Sequence, residues 1–371
     1  MEMMVAASFV RPGRVGGAEQ MLYNLLGGFA DRGFANSIRL LVREPLQPVP
    51  EVASFRTERL TCVAGSHRVL YEAAAAAVFR DIDGWLFPNF FAPPSARGRV
   101  VTTIHDLHYR HLPQTFRARK RAFLKAAHRL SLRASEVVVA ISATVAADIE
   151  QAYGARWSHK VRVIPNPVSF RRLEGGGADL PHTLEDRRVL LCVAAQYAHK
   201  NIDTLVRAMP RIVKRHPDVA LVLAGQEPSR LVGGATAGDL TALANELGVA
   251  NHVLSTGYLD DAVLGALYKI ATASVLPSLF EGFGIPVVEG LGFGLPVVCS
   301  DIDSLRETSL GLAHFVHEPR SADAWSATIC DVLDSPESFA PQSEDVARVR
   351  ATYDPARIAW EYADAMGLVA Q

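Results

Sequence analysis

Short apolar runs alternate with stretches of helical spacing along almost the whole chain. Met3 to Phe9 reads as a strand. A loop over 11–17 follows, carrying Gly13, Gly16 and Gly17. Ala18 to Phe29 then repeats Met21, Leu22, Leu25, Leu26 and Phe29 at helical intervals. Further strands are predicted at 38–42, 85–88, 100–104 and 137–141, and helices at 116–133 and 143–153. The alternation then restarts. Strands at 189–194, 219–224, 253–255, 273–276 and 295–299 are separated by helices at 202–213, 240–247 and 262–270. Two such series predict an α/β protein with two facing Rossmann-like domains, each built on a parallel sheet. The Gly-, Arg- and Asp-rich stretch 170–184, with Gly175-Gly176-Gly177, reads as the linker, so the expected domains are 1–170 and 171–354. A last helix opens at Pro355 behind Asp354 as N-cap and carries Trp360, Tyr362 and Met366.

Composition adds bounds. With 371 residues of which 49% are apolar, two cores can be filled, and a net charge of −1 names no partner. The distribution of charge is more informative: Arg97 to Arg133 holds ten Lys/Arg and one acid, Asp106. The helix 116–133 joins these cations to Phe123, Leu124, Ala127, Leu130 and Leu132. It suits an anionic membrane surface, or a core helix with a solvated basic side. Aromatic interleaving is lacking, which disfavours nucleic acid. Cys62, Cys192, Cys299 and Cys330 are too scattered for a metal site and read as reduced thiols. No leader and no membrane-spanning stretch is read, so the expectation is a cytoplasmic protein, peripheral on the inner membrane face.

The densest chemistry lies between Pro277 and Glu289. Gly282 and Gly284 allow a tight loop, Pro286 suits the first turn of a helix, and Gly294 suits its end. A glycine loop at a helix N-terminus offers N–H groups and a positive dipole to phosphate. Glu281 and Glu289 flank it, and carboxylates bond sugar hydroxyls strongly. Diphosphate between hydroxyl-rich ends describes a nucleotide sugar; a plain turn before a core helix is the competing reading. Lys200, in His199-Lys200-Asn201, follows a strand end where a departing diphosphate could meet positive charge. His105-Asp106-Leu107 ends another strand. Gly16 and Gly17 stand outside any G-x-G-x-x-G pattern, so a dinucleotide site is poorly supported. Asp81-Ile82-Asp83 and Asp301-Ile302-Asp303 read as structural carboxylates, and no metal site is expected.

Glu281 through Glu289, with Leu-Pro-Ser-Leu-Phe-Glu-Gly-Phe-Gly before and Gly-Leu-Pro-Val-Val-Cys-Ser-Asp after, resembles the E-x7-E region of the retaining GT-B glycosyltransferases of family 4. The resemblance implies a metal-independent hexosyltransferase without a cofactor. Glu281 would contact the donor hexose, and backbone at Gly282, Phe283, Gly284 and Ile285 would hold sugar and diphosphate. Lys200 would stabilise the leaving diphosphate, and Glu289 would bind ribose. Gly257 and Tyr258 would lie near the base. Gly16 and Gly17 would line the cleft, and His105 would meet the sugar near its hydroxymethyl group. His105-Asp106-Leu107 with Pro113 resembles mannosyltransferase sub-groups, pointing to GDP-mannose and a glycan or polyprenyl-diphosphate-linked acceptor in surface polysaccharide synthesis. Many members carry an Arg five residues before the Lys; here Ala195 stands there, and His199 is the candidate second cation. In the family the final helix, 355–371 here, packs back on the first domain. A UDP- or dTDP-sugar donor, a GT-B epimerase or phosphorylase, and an inactive binding subunit remain alternatives.

Overall fold

The structure, a computed structural model, describes residues 1–10, 16–43, 50–61, 67–175, 180, 182–226 and 238–369. Gly13, Cys62, Gly176-Gly177 and the glycine-rich 232–237 lie outside the described residues. The chain forms two compact units, 1–168 with 353–371, and 169–352.

The first unit holds β1 (Met3–Ala6), β2 (Ile38–Leu41), β3 (Arg56–Glu58), β4 (Gly84–Phe87), β5 (Arg99–Ile104), β6 (Val137–Ala140) and β7 (Val161–Val163). Among the described residues they make one parallel sheet in the order β3-β2-β1-β4-β5-β6-β7. Its central strands are buried throughout because helices cover both faces, which is why they read as unbroken apolar runs. The helix Gly17–Asp31 buries Met21, Leu22, Leu25, Leu26 and Phe29 on one face of the sheet. The helix Pro355–Met366 joins the same core through Ile358, Ala359, Tyr362 and Met366. Asp354 caps it by accepting from Arg357 N at 2.9 Å. Tyr362 shares a hydroxyl hydrogen bond with Thr103 at 3.1 Å, and Arg99 Nε donates to Ala365 O at 2.7 Å.

The basic helix spans Ala118–Ala134. Ala127, His128, Ser131 and Leu132 face inward. Phe123 and Leu130, expected among the apolar surface, remain 42% and 38% exposed beside the cations.

The second unit holds β8 (Arg188–Val193), β9 (Val219–Ala224), β10 (Val253–Gly257), β11 (Ala271–Leu276), β12 (Val297–Ser300) and β13 (His314–Val316). Their order is β10-β9-β8-β11-β12-β13, again all parallel. The stretch read as a linker opens differently from expectation. Phe170–Glu174 is a short helix with Leu173 fully buried, and the absence of a side chain on Gly265 lets the Leu173 carbonyl pack against it. Apolar spacing over five residues was too short to outweigh the glycine run that follows.

In each sheet the strand order reverses at one place, between β1 and β4 and between β8 and β11. Ligands of open α/β sheets bind beyond the carboxyl ends of the strands at such points.

Candidate active site

The segments after β8 and β11 meet at the reversal of the second sheet. After β8, Asn201 adopts φ 54°, and its side-chain amide donates to Pro277 O at 3.1 Å and Pro319 O at 2.7 Å. After β11, Leu279 N donates to His199 O at 2.8 Å. These bonds fasten the His199-Lys200-Asn201 turn to the start of the glycine loop. Lys200 Nζ consequently lies 2.5 Å from Glu281 Oε1, which also accepts from Ser278 Oγ at 2.7 Å. Both side chains are largely buried, 19% and 12% exposed. Two residues 81 apart in sequence are thus one ion pair.

The loop then turns into the helix Ile285–Gly292. Gly284 has φ 87°, a left-handed backbone that favours glycine, and a Cβ there would press on the end of the Leu305 side chain. The helix begins without a side-chain cap; Pro286 has no N–H and Val287 N donates to Gly284 O at 2.9 Å, so the start of the helix offers a ligand its positive dipole end and the N–H of Ile285. Gly294, at φ 79°, follows its end as expected. Two hydroxyls from the helix Asp303–Thr308 fix the loop: Ser304 Oγ donates to Glu281 O at 2.8 Å and Thr308 Oγ1 to Phe283 O at 2.7 Å. Both side chains are buried. They hold loop carbonyls toward that helix. Sequence reading passed over them because a Ser and a Thr in a short helix carry no motif.

Glu289 has a different setting from Glu281. It is buried, Tyr268 Oη donates to its Oε2 at 2.8 Å, and Arg172 approaches its Oε1 at 3.4 Å. Arg172 also pairs with Asp261. Burial pushes the Glu289 carboxyl above its usual range, against the opposing pull of Arg172 and the Tyr268 hydrogen bond. Gly257, at φ 69°, accepts from Gly225 N at 2.8 Å, and Tyr258 is 60% exposed after it. Cys192 lies beneath this region; burial pushes its thiol up to about 12, which removes it as a nucleophile.

The remaining sequence candidates belong to the first unit. Gly16, at φ 62° with open space around its Cβ position, precedes the helix that Gly17 begins. His105 follows β5, and its Nε2 lies 2.8 Å from Pro88 O. A carbonyl only accepts, so Nε2 carries the proton and Nδ1 is the acceptor. Burial lowers the imidazole pKa, favouring this neutral form. Asp106 accepts from His108 N at 2.8 Å and so closes a turn. The two Asp-x-Asp patterns are engaged otherwise: Asp81 pairs with Arg39, and Asp301 with Arg306 and His317.

Comparison with known proteins bears on both units. Residues 15–172 match the model of Glycosyltransferase Family 4, and residues 181–347 match that of Glycosyl transferases group 1. The chain belongs to glycosyltransferase family 4. O-antigen chain mannosyltransferase B of Escherichia coli is 25% identical over 307 residues, covering 80% of this glycosyltransferase and 76% of that protein. The GDP-mannose-dependent alpha-(1-6)-phosphatidylinositol monomannoside mannosyltransferase of Mycolicibacterium smegmatis is 32% identical over 188 residues, 48% of this chain and 46% of that one. Of other relatives' own length the chain covers a smaller share, 66% in one case, 51% in another and 32% in a third. Among solved structures, Anabaena HepE with UDP and glucose superposes with TM-score 0.75 at 16% identity, covering 100% of both chains. That likeness establishes the GT-B fold for the family 4 chain.

Proposed function

We propose that this glycosyltransferase moves a hexose, with retention of configuration, from a nucleoside diphosphate sugar to a glycan or lipid-linked glycan. The observation that carries the reading is the coincidence, at one sheet reversal, of an uncapped helix start, a glycine loop and the Lys200–Glu281 pair. Lys200 and the helix dipole answer the charge of a departing diphosphate without a metal or cofactor, and His199 beside Lys200 is the second candidate cation. Glu281 faces positive charge developing at the anomeric carbon. Backbone at Gly282, Phe283, Gly284 and Ile285 holds sugar and phosphate. Glu289 takes ribose hydroxyls once its longer contact to Arg172 gives way, and Tyr258 lies by the base. Retention by front-side attack would use the leaving phosphate to accept the acceptor proton.

The donor we favour is GDP-mannose. Support comes from His105-Asp106-Leu107 with Pro113, and from relatives named as mannosyltransferases. Among the described residues no helix is long and apolar enough to cross a membrane. The exposed cations of 117–133 with Phe123 favour peripheral attachment to an anionic bilayer. The test is nucleoside diphosphate release from a panel of GDP-, UDP- and dTDP-sugars, with and without EDTA. GDP-mannose should be turned over best and chelation should have no effect. A preference for a UDP- or dTDP-sugar would overturn the mannose assignment, and full dependence on added manganese would overturn the metal-free mechanism.

A further inference from the structure

The reversal of the first sheet carries its own cation–carboxylate pair. Ser8 follows β1, and Pro88, Asn89 and Phe90 follow β4, the strand beside it. The helix Arg68–Val78, which leads from β3 toward β4, brings Arg68 and Glu72 to this place. Glu72 is almost wholly buried at 1% exposure. Its Oε1 accepts from Ser8 Oγ at 2.6 Å, while Arg68 NH1 stands off at 3.8 Å, beyond hydrogen-bond reach. Among the described residues its Oε2 has no hydrogen-bond partner. Arg68 is held loosely as well, 4.7 Å over the Phe90 ring and 3.5 Å from Asn89 O.

A carboxylate oxygen left unpaired in a protein interior is costly, and a ligand group that donates to it removes that cost. A sugar ring suits this one. It offers O–H groups that a carboxylate accepts and oxygens to which a guanidinium donates, both as charge-assisted bonds. The pair at the other sheet reversal differs: Lys200 and Glu281 satisfy each other at 2.5 Å.

We propose that Arg68 and Glu72 form a subsite for a sugar hydroxyl of the acceptor, with Glu72 Oε2 accepting the O–H and Arg68 donating to a neighbouring oxygen. The role as acceptor subsite rests on the transferase reading; the binding itself does not. Burial holds the Glu72 carboxyl above its ordinary range, against the pull of Arg68, the Ser8 hydroxyl and Arg43, and a ligand hydroxyl donating to Oε2 would add one more bond to the charged form.

Saturation-transfer NMR on the full chain, with the methyl glycosides of mannose, glucose, galactose and rhamnose as probes, tests this. At least one should bind the wild type. Glu72→Gln and Arg68→Met, each checked for a native circular dichroism spectrum, should weaken it at least about tenfold, the loss of one charge-assisted bond. If Glu72→Gln does not fold, Arg68→Met, at a partly exposed side chain, decides. Lys200→Ala should leave glycoside binding intact while donor turnover is lost. No binding to the wild type, equal binding by the variants, or loss of binding in Lys200→Ala would overturn the subsite. Absence of donor turnover with glycoside binding retained would instead count against the transferase reading.

Discussion

Replacing Glu281 by Gln should tighten the binding of free nucleoside diphosphate while it cripples turnover. Lys200 Nζ is held at 2.5 Å by Glu281, with Ser278 supporting the same oxygen. An incoming diphosphate must therefore compete with an internal anion for its cation. Unit charges at contact distance attract by about 4 kcal/mol at the effective dielectric of a partly buried site. Partial desolvation and the residual amide contact reduce the net coupling to about 1–1.5 kcal/mol, so GDP affinity should rise about fivefold to twelvefold. The catalytic constant should fall about 10²- to 10³-fold, the usual loss when one charge-stabilising group is removed. Calorimetry with GDP and single-turnover kinetics measure the two effects. In a Lys200→Ala background, Glu281→Gln should no longer change GDP affinity, because the competition is gone. Weaker or unchanged GDP binding by folded Glu281→Gln, or an undiminished gain in the Lys200→Ala background, would refute the reasoning.

Thr308→Val, combined with Ser304→Ala, frees two loop carbonyls and should lower donor kcat/KM about tenfold or more with a melting temperature change too small to explain it, read by steady-state kinetics beside calorimetry. Gly284→Ala imposes a left-handed backbone and an overlap with Leu305, costing about 1–3 kcal/mol, visible in thermal unfolding and as a raised donor KM. Glu72 has a raised folded pKa, so its contribution to stability is complete below the unfolded value and is lost as pH rises through the folded one. The melting temperature of Glu72→Gln relative to wild type should therefore be more favourable at about pH 8 than at about pH 5. Neutralising Arg117, Arg119, Lys120, Arg121 and Lys125 together should abolish low-salt pelleting with phosphatidylserine vesicles, at about 1 kcal/mol per charge; unchanged pelleting would return the helix to a purely structural role.

Much of the fold was legible because parallel strands covered on both faces read as apolar runs, and the glycine loop announced itself through spacing. Gly284, Pro286 and Gly294 fell where helix-end chemistry puts them. β3 and β13, three residues each, were not legible, since a three-residue run has no period to detect. The helix at Phe170–Glu174 hid beneath the glycines after it. Pairings between distant segments were invisible for another reason: the Lys200–Glu281 contact, the Ser304 and Thr308 tethers, and the enclosure of Glu289 by Tyr268 and Arg172 depend on sheet order. Sequence showed two similar carboxylates with seven residues between them. Structure separates them into one paired with a lysine at the loop and one locked in a buried network.

The most direct test of the central claim is the rate of nucleoside diphosphate release from GDP-mannose by wild type, Lys200→Ala and Glu281→Gln in the presence of EDTA, with fold verified for each. The account predicts metal-independent release by wild type and a loss of at least about 10²-fold in both variants. Release by either variant at the wild-type rate, or no release from any nucleotide sugar by the wild type, would contradict it.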